Sequence, residues 1–449
     1  MVFSSLEFLF VFLPVFLFIY YLVPQRFRNW PLLLGSISFY AYGARNHPWI
    51  LLLFFSLNLL AYVTGSLMET NPNQRKGLLI GALCVIFGSL LGFKYAGFFT
   101  GTTILLPLGI SFYSFQLAAY LIDVQQRRLK AERSFLKLLT GMLLFPKLIS
   151  GPLTPYESIS KQLDQRSFSW ERFNYGLQDF VFGLAMKCLL ADQIGGLWHQ
   201  VQTIGFTSLS TPLAWLGIAA FSLQLYFDFY GYSLMAIGLG RMIGFRLPKN
   251  FILPYTSRSM TEFWRRWHIT LGRWFLDYVY IPLGGSREGK GKELRNLLIV
   301  WLLTGIWHGA TPNFVLWGLF IFLLIAIEKL WLEAFLERHR VVSHTYLIVT
   351  IMLSWMLFAI TDLSQIATYL GRLFPFFGEW LPITDFLRLG QQYGIFLVLG
   401  ILVSTSWFMR CWDNIRQTRW GTITLLVLFW LSVYCLSAGL NDPFLYFSF

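Results

Sequence analysis

Apolar residues fall in blocks separated by short polar loops, at about 2–23, 31–43, 48–68, 77–99, 104–122, 135–155, 173–198, 212–240, 296–311, 313–336, 345–361, 393–409 and 420–440. A helix needs about 20 apolar residues to cross the hydrocarbon core of a bilayer, and most of these blocks approach that length. Lipid offers no partner to backbone N–H and C=O groups, so such blocks predict membrane-spanning helices. Two regions do not fit a simple crossing. Block 135–155 carries Lys147 with Pro146, Pro152 and Pro155, which predicts a re-entrant element rather than a straight helix. Region 250–285 contains Thr261–Tyr280, too charged to span and too aromatic for a free loop. As one helix at about 100° per residue, it places Trp264, Trp267, Leu271, Trp274, Phe275 and Tyr278 on one face. Glu262, Arg266, Thr270, Arg273 and Asp277 fall on the other, which predicts an interfacial helix or one lining a polar path. His268 lies at the stripe's edge, between Trp264 and Gly272, either as a satisfied interfacial histidine or facing a substrate channel beside Arg265.

Loop charge orients the blocks. Gln25–Asn29, Asn73–Lys76, Gln126–Arg133, Arg241–Lys249, Ser286–Arg295 and Arg410–Arg419 are basic, whereas Thr100–Thr103 and His199–Thr211 carry no charge. With the basic loops in the cytoplasm, the N-terminus lies outside and about twelve helices cross. Val2–Val23 has no basic residue before its apolar run and reads as a retained first helix, not a cleaved leader. The expected fold is an all-α polytopic membrane protein with one transmembrane domain over 1–449. Within it, 1–134 form N-terminal helices, 135–318 the re-entrant elements and catalytic core, and 319–449 C-terminal helices.

Composition agrees with the pattern. Hydrophobic residues make up 56% and charged residues 13% of 449, against about 25% charged in soluble domains. The net charge of +13 sits in those loops, which the positive-inside rule explains without nucleic acid as partner. Cys84, Cys188, Cys411 and Cys435 are scattered, so neither a disulfide framework nor a zinc site is indicated. No metal is expected.

The 26-residue run from Leu297 to Phe322 holds a single ionisable residue, His308. A polar ring at membrane depth is costly unless it faces a bundle interior or cavity. Gly305, Gly309 and Ala310 are expected to leave room beside the imidazole, and Thr304 and Thr311 to orient a ring nitrogen. Trp301 and Trp307 offer apolar walls, while Pro312 and Asn313 interrupt the helix. Histidine, with a pKa near about 6.5, takes a proton from a hydroxyl and returns it to a leaving group at neutral pH. The plainer alternative is a packing histidine bonded to a neighbouring helix. His47, His199, His339 and His344 lie in loops or linkers, and no HExxH pattern is present.

Six stretches together resemble the membrane-bound O-acyltransferase superfamily, in its bacterial polysaccharide-acylating branch. They are MVFSSLEFLFVFLPVFLFIYYLVP at the start, FPKLISGPL (145–153), QLYFDFYGYSLMAIGLGRMIGF (224–245), FWRRWHITLGRWFLDYVYIPLGG (263–285), TGIWHGATPNFVLWG (304–318) and DPFLYFSF (442–449). The resemblance implies a ring of transmembrane helices around a thinned centre, with a central tunnel meeting at the catalytic histidine. It assigns His308 to that role and His268 to the second histidine of the branch. Trp264, Arg265, Trp301, Thr304, Gly305, Trp307 and Asn313 are the expected substrate-contacting residues. Acetyl-CoA or another acyl thioester is implied as donor substrate from the cytoplasm, with no bound cofactor. An extracytoplasmic polysaccharide acyltransferase partner, membrane lipids around the protein and a bacterial cytoplasmic-membrane location complete the expectation. D-alanyl transfer from an acyl-carrier protein to teichoic acid is the more distant variant.

A transporter of lipid-linked sugars is the alternative from another class. It predicts paired intramembrane charges or internal repeats, and neither is legible in the sequence.

Overall fold

The computed structural model describes residues 1–102, 104–376, 381–440 and Leu445. The closing motif 442–449, apart from Leu445, therefore lies outside the described residues. Within them the chain is helical, with no strand. This is the all-α polytopic architecture that the block pattern predicts.

Among the described residues, eight helices are long and apolar enough to cross a membrane: Trp49–Thr70, Pro72–Thr100, Trp170–Ile204, Thr211–Met242, Pro312–Arg338, Arg340–Ala359, Thr384–Val403 and Arg419–Ser437. The block pattern predicts about twelve. The difference lies in four blocks that fold into shorter or partly charged helices. Leu13–Leu22, continuing a π-helical turn at Phe8–Phe12, Asn29–Gly43 and Ile110–Gln125 are short, and Lys290–His308 starts on charged turns. At 1.5 Å per residue, 16 residues rise about 24 Å, less than the roughly 30 Å of a hydrocarbon core.

The chain folds as two compact units whose segments alternate along the sequence. The first comprises Met1–Phe180, Tyr232–Lys249 and Leu276–Tyr278. Its core is a phenylalanine cluster, with Phe145 packed edge-on to Phe12 and Phe16. Block 135–155 is no straight helix. Phe135–Leu143 ends at Leu144, Phe145–Leu148 forms one more turn, and residues 149–155 follow without regular structure, nearly all buried. Lys147 is wholly buried there and donates to Gln116 Oε1. Asp123 accepts from Tyr278 Oη at 2.9 Å and lies 3.6 Å from Arg128.

The second unit comprises Val181–Gly231, Asn250–Phe275 and Val279–Phe449. Here the structure corrects the expectation of no paired intramembrane charge. Lys187 Nζ lies 2.5 Å from Asp192 Oδ1 and 2.7 Å from Asp228 Oδ1, and all three are buried. The π-helical turn Met186–Ala191 inside Trp170–Ile204 carries Lys187, and Asp228 lies on Thr211–Met242. Asp228 meets the other two charges only through helix packing, so the cluster is not written in consecutive residues. Intramembrane pairing thus gives no ground for separating a transporter from an enzyme.

Candidate active site

Region 261–280 is not one helix. Met260–Arg266 ends at Trp267, a second helix runs Ile269–Phe275, and Leu276–Tyr280 is π-helical. The break falls on His268, whose φ is +43°. Only glycine adopts such a backbone readily, and elsewhere it costs about 1–3 kcal/mol and clusters at functional sites. The left-handed turn interrupts the constant pitch, yet most of the expected faces survive beyond it, with Arg273 exposed. Thr270, assigned to the polar face, is buried. Trp267, Leu271, Trp274 and Phe275 are buried as expected.

The first helix is pinned at its start. Ser259 Oγ accepts from the Glu262 N–H at 3.0 Å, a side-chain N-cap. Glu328, buried in the apolar run 312–338, accepts from the Met260 N–H at 2.6 Å and from the Thr261 N–H at 3.0 Å. Two amides at a helix N-terminus make a favourable seat for a carboxylate. Sequence reasoning misses Glu328, although an acid directly after the uncharged run 312–327 is the available signal.

His268 is 4% exposed, with its ring edge-on to Phe229 at 4.7 Å. Its Nδ1 lies 3.4 Å from Asn250 Oδ1. Burial holds the imidazole down at about 3, so the ring is neutral near pH 7. Arg265, expected beside it, is exposed.

His308 ends helix Lys290–His308, and Pro312 opens the next helix, so the predicted interruption is real. The buried ring is enclosed by aromatics, with Trp307 at 4.7 Å, Trp317 edge-on at 5.1 Å and Phe358 edge-on at 5.1 Å. Trp317 is held by its indole N–H, which donates to Ser354 Oγ at 2.9 Å. It also packs 5.6 Å from Trp264 and 6.0 Å from Trp301, so one tryptophan links the expected wall residues to His308. A continuous aromatic path leads from His268 to His308. It passes Phe229–Phe251, Phe251–Trp267 and Trp267–Trp355, then Trp355–Phe358. Trp317, Trp355 and Phe358 escape sequence reasoning because no local pattern shows which of 84 aromatics (45 Phe, 21 Tyr and 18 Trp) meet.

The residues expected to serve the ring have other duties. A methyl on Gly305 would overlap the Phe314 carbonyl oxygen, and one on Gly309 the Phe314 ring. These glycines let two helices close together; they do not open space beside the imidazole. The Thr304 hydroxyl donates to Val300 O at 2.7 Å and Thr311 to Asn313 Oδ1 at 2.5 Å, so both protons point away from the ring. Asn313 gives its amide hydrogens to Leu357 O at 3.0 Å and Phe358 O at 3.3 Å, which ties the helix start to the end of Arg340–Ala359.

The family model described as membrane-bound O-acyltransferase matches residues 129–370. A protein of Pseudomonas putida named probable alginate O-acetylase is 36% identical, with all of both chains aligned. The peptidoglycan O-acetyltransferase of Helicobacter pylori is 32% identical over 81% of this chain and 78% of its own. The teichoic acid D-alanyltransferase of Bacillus subtilis is 28% identical over 47% of this chain and 56% of its own. With eight helices among the described residues long and apolar enough to cross a membrane, and with relatives named as acyl-transferring enzymes, the chain is a multi-pass membrane acyltransferase belonging to the membrane-bound O-acyltransferase family.

Proposed function

We propose that this protein moves a small acyl group, acetyl by preference, from a cytoplasmic thioester toward hydroxyls of an extracytoplasmic polysaccharide at the bacterial cytoplasmic membrane. The observation that carries this reading is His308, a buried imidazole at the end of an apolar helix, walled by Trp307, Trp317 and Phe358. The names of the P. putida and H. pylori relatives support acetyl as the group and a polysaccharide as the acceptor. Acetyl-CoA is the donor that fits this reading, and an exported polysaccharide acyltransferase is the fitting partner.

The chemistry asks little of the protein. His308 takes the proton of the attacking hydroxyl, and the oxygen bonds to the thioester carbonyl carbon. The C–S bond then breaks, and the imidazolium returns the proton to the departing thiolate. In the relay form of the same reading, the His308 nitrogen holds the acyl group before the hydroxyl attacks. His268, neutral near pH 7, stands as the second histidine of the site, and Trp264 and Trp301 line it. Excluding water behind such aromatic walls protects the thioester from hydrolysis and strengthens every polar contact inside.

The test is His308→Ala in cells, with ester-linked acyl content of envelope polysaccharide measured at matched protein abundance. Acylation at the wild-type level would remove His308 from the chemistry. Acyl groups appearing as D-alanine rather than acetate would move the reading to carrier-protein-dependent aminoacyl transfer, the activity named for the B. subtilis relative.

A further inference from the structure

Asn250 is 1% exposed and touches the His268 turn through both main chain and side chain. Its carbonyl accepts from the Ile269 N–H at 3.0 Å, while the Ile252 N–H donates to Arg266 O at 3.0 Å. Residues 250–252 thus brace the chain on both sides of the left-handed turn at His268. The amide oxygen Oδ1 accepts the Thr270 hydroxyl at 2.6 Å and faces the Thr270 N–H at 3.4 Å and His268 Nδ1 at 3.4 Å.

These contacts bear on which way the amide faces and which ring nitrogen carries hydrogen, both of which are read from the bonding network. A backbone N–H only donates, so the Asn250 atom facing Thr270 N is the oxygen; the reversed amide would set two donors against each other. That oxygen only accepts, so the His268 nitrogen facing it carries the hydrogen. A neutral imidazole has one N–H, and Nε2 is then the acceptor nitrogen.

We propose that Asn250 is a positioning residue, which holds His268 as the Nδ1–H tautomer and so presents Nε2 as a proton acceptor at the acyl-transfer site. This rests on His268 belonging to that site, as the proposed function has it. The choice of an amide over a carboxylate is part of the device. An aspartate would accept the same Nδ1–H but favour the imidazolium, which has no acceptor nitrogen. Burial alone holds His268 below the usual histidine range. Arg266, two residues before it, is engaged by Glu262 and by Thr256 at 2.9 Å. The packed face from Thr211–Met242 is the Phe229 ring.

The experiment uses the full chain purified in detergent, with acetyl-CoA as the probe and thiol release followed from pH 5 to pH 9. Asn250→Ala should lower kcat at least tenfold with KM changed less than twofold. Asn250→Asp should keep more activity than Asn250→Ala at pH 9 and lose it on acidification, with an acid limb at least one pH unit above any in the wild type. Thermal melting of each variant, read alongside, identifies one that has lost its fold, and the other then decides. A folded Asn250→Ala within twofold of wild-type kcat, or a folded Asn250→Asp with the wild-type pH profile, overturns the proposal. His268→Ala separates the two levels. Full turnover by that variant removes His268 from the proposed function, whereas its inactivity beside unaltered Asn250 variants rejects only the role of Asn250.

Discussion

Gly305 and the carbonyl oxygen of Phe314 lie so close that a single methyl on Gly305 would overlap that oxygen. The obstructing atom is backbone and cannot rotate aside. Gly305→Ala should therefore force the helices Lys290–His308 and Pro312–Ile327 apart, at a cost of about 1–3 kcal/mol. Because His308 ends the first helix and Trp317 lies on the second, acyl transfer should fall with stability. Thermal melting and polysaccharide ester content, measured together, check this, and a variant as stable and active as wild type would refute it. Gly318, whose methyl would overlap the Trp301 carbonyl oxygen, should behave alike.

Trp317 stands between His308 and Trp264, and its N–H bond to Ser354 fixes the ring. Trp317→Leu should remove the edge facing the imidazole and let water approach it. Transfer to the acceptor should drop at least tenfold, while hydrolysis of the thioester, as a share of turnover, rises. Comparing thiol release with ester formed measures that share. An unchanged ratio would count against the wall.

Lys187 serves two buried carboxylates at once. Lys187→Met leaves Asp192 and Asp228 facing each other without this cation, and breaking a buried ion pair from one side costs about 3–5 kcal/mol. Low abundance and a large drop in melting temperature are expected. Asp228→Asn, which leaves Lys187 paired with Asp192, should cost less. Equal stability of Lys187→Met and the wild type would show that the cluster is dispensable.

His268 lies outside the eight helices that, among the described residues, are long and apolar enough to cross a membrane, and burial holds its folded pKa at about 3, below the ordinary 6.5. An unfolded chain binds a proton at this position below that ordinary value, while the folded chain does not. The stabilising contribution is complete above about pH 6.5 and is lost as pH falls toward about 3. His268→Gln lacks the titrating group, so its melting temperature should fall less on acidification than that of the wild type. Parallel pH dependence of the two would mean that His268 is hydrated in the fold.

Block length and loop charge mark the helices because lipid leaves a spanning backbone no alternative, and His308 stands out as the only ionisable group in its run. Those are local properties, written in consecutive residues. Helix periodicity places most of the faces of 261–280 but not the break at His268 or the burial of Thr270, which meet Asn250 18 and 20 residues away. The small residues around His308 suggest open space. Only packing could show that Phe314 fills it. Lys187, Asp192 and Asp228 are each visible, yet their meeting depends on which faces two long helices turn toward each other. Residue type and spacing thus determined the membrane, the family resemblance and the histidines. Tertiary contact decided what each glycine, amide and charge does beside them, because that depends on the neighbour brought into reach and not on the residue alone.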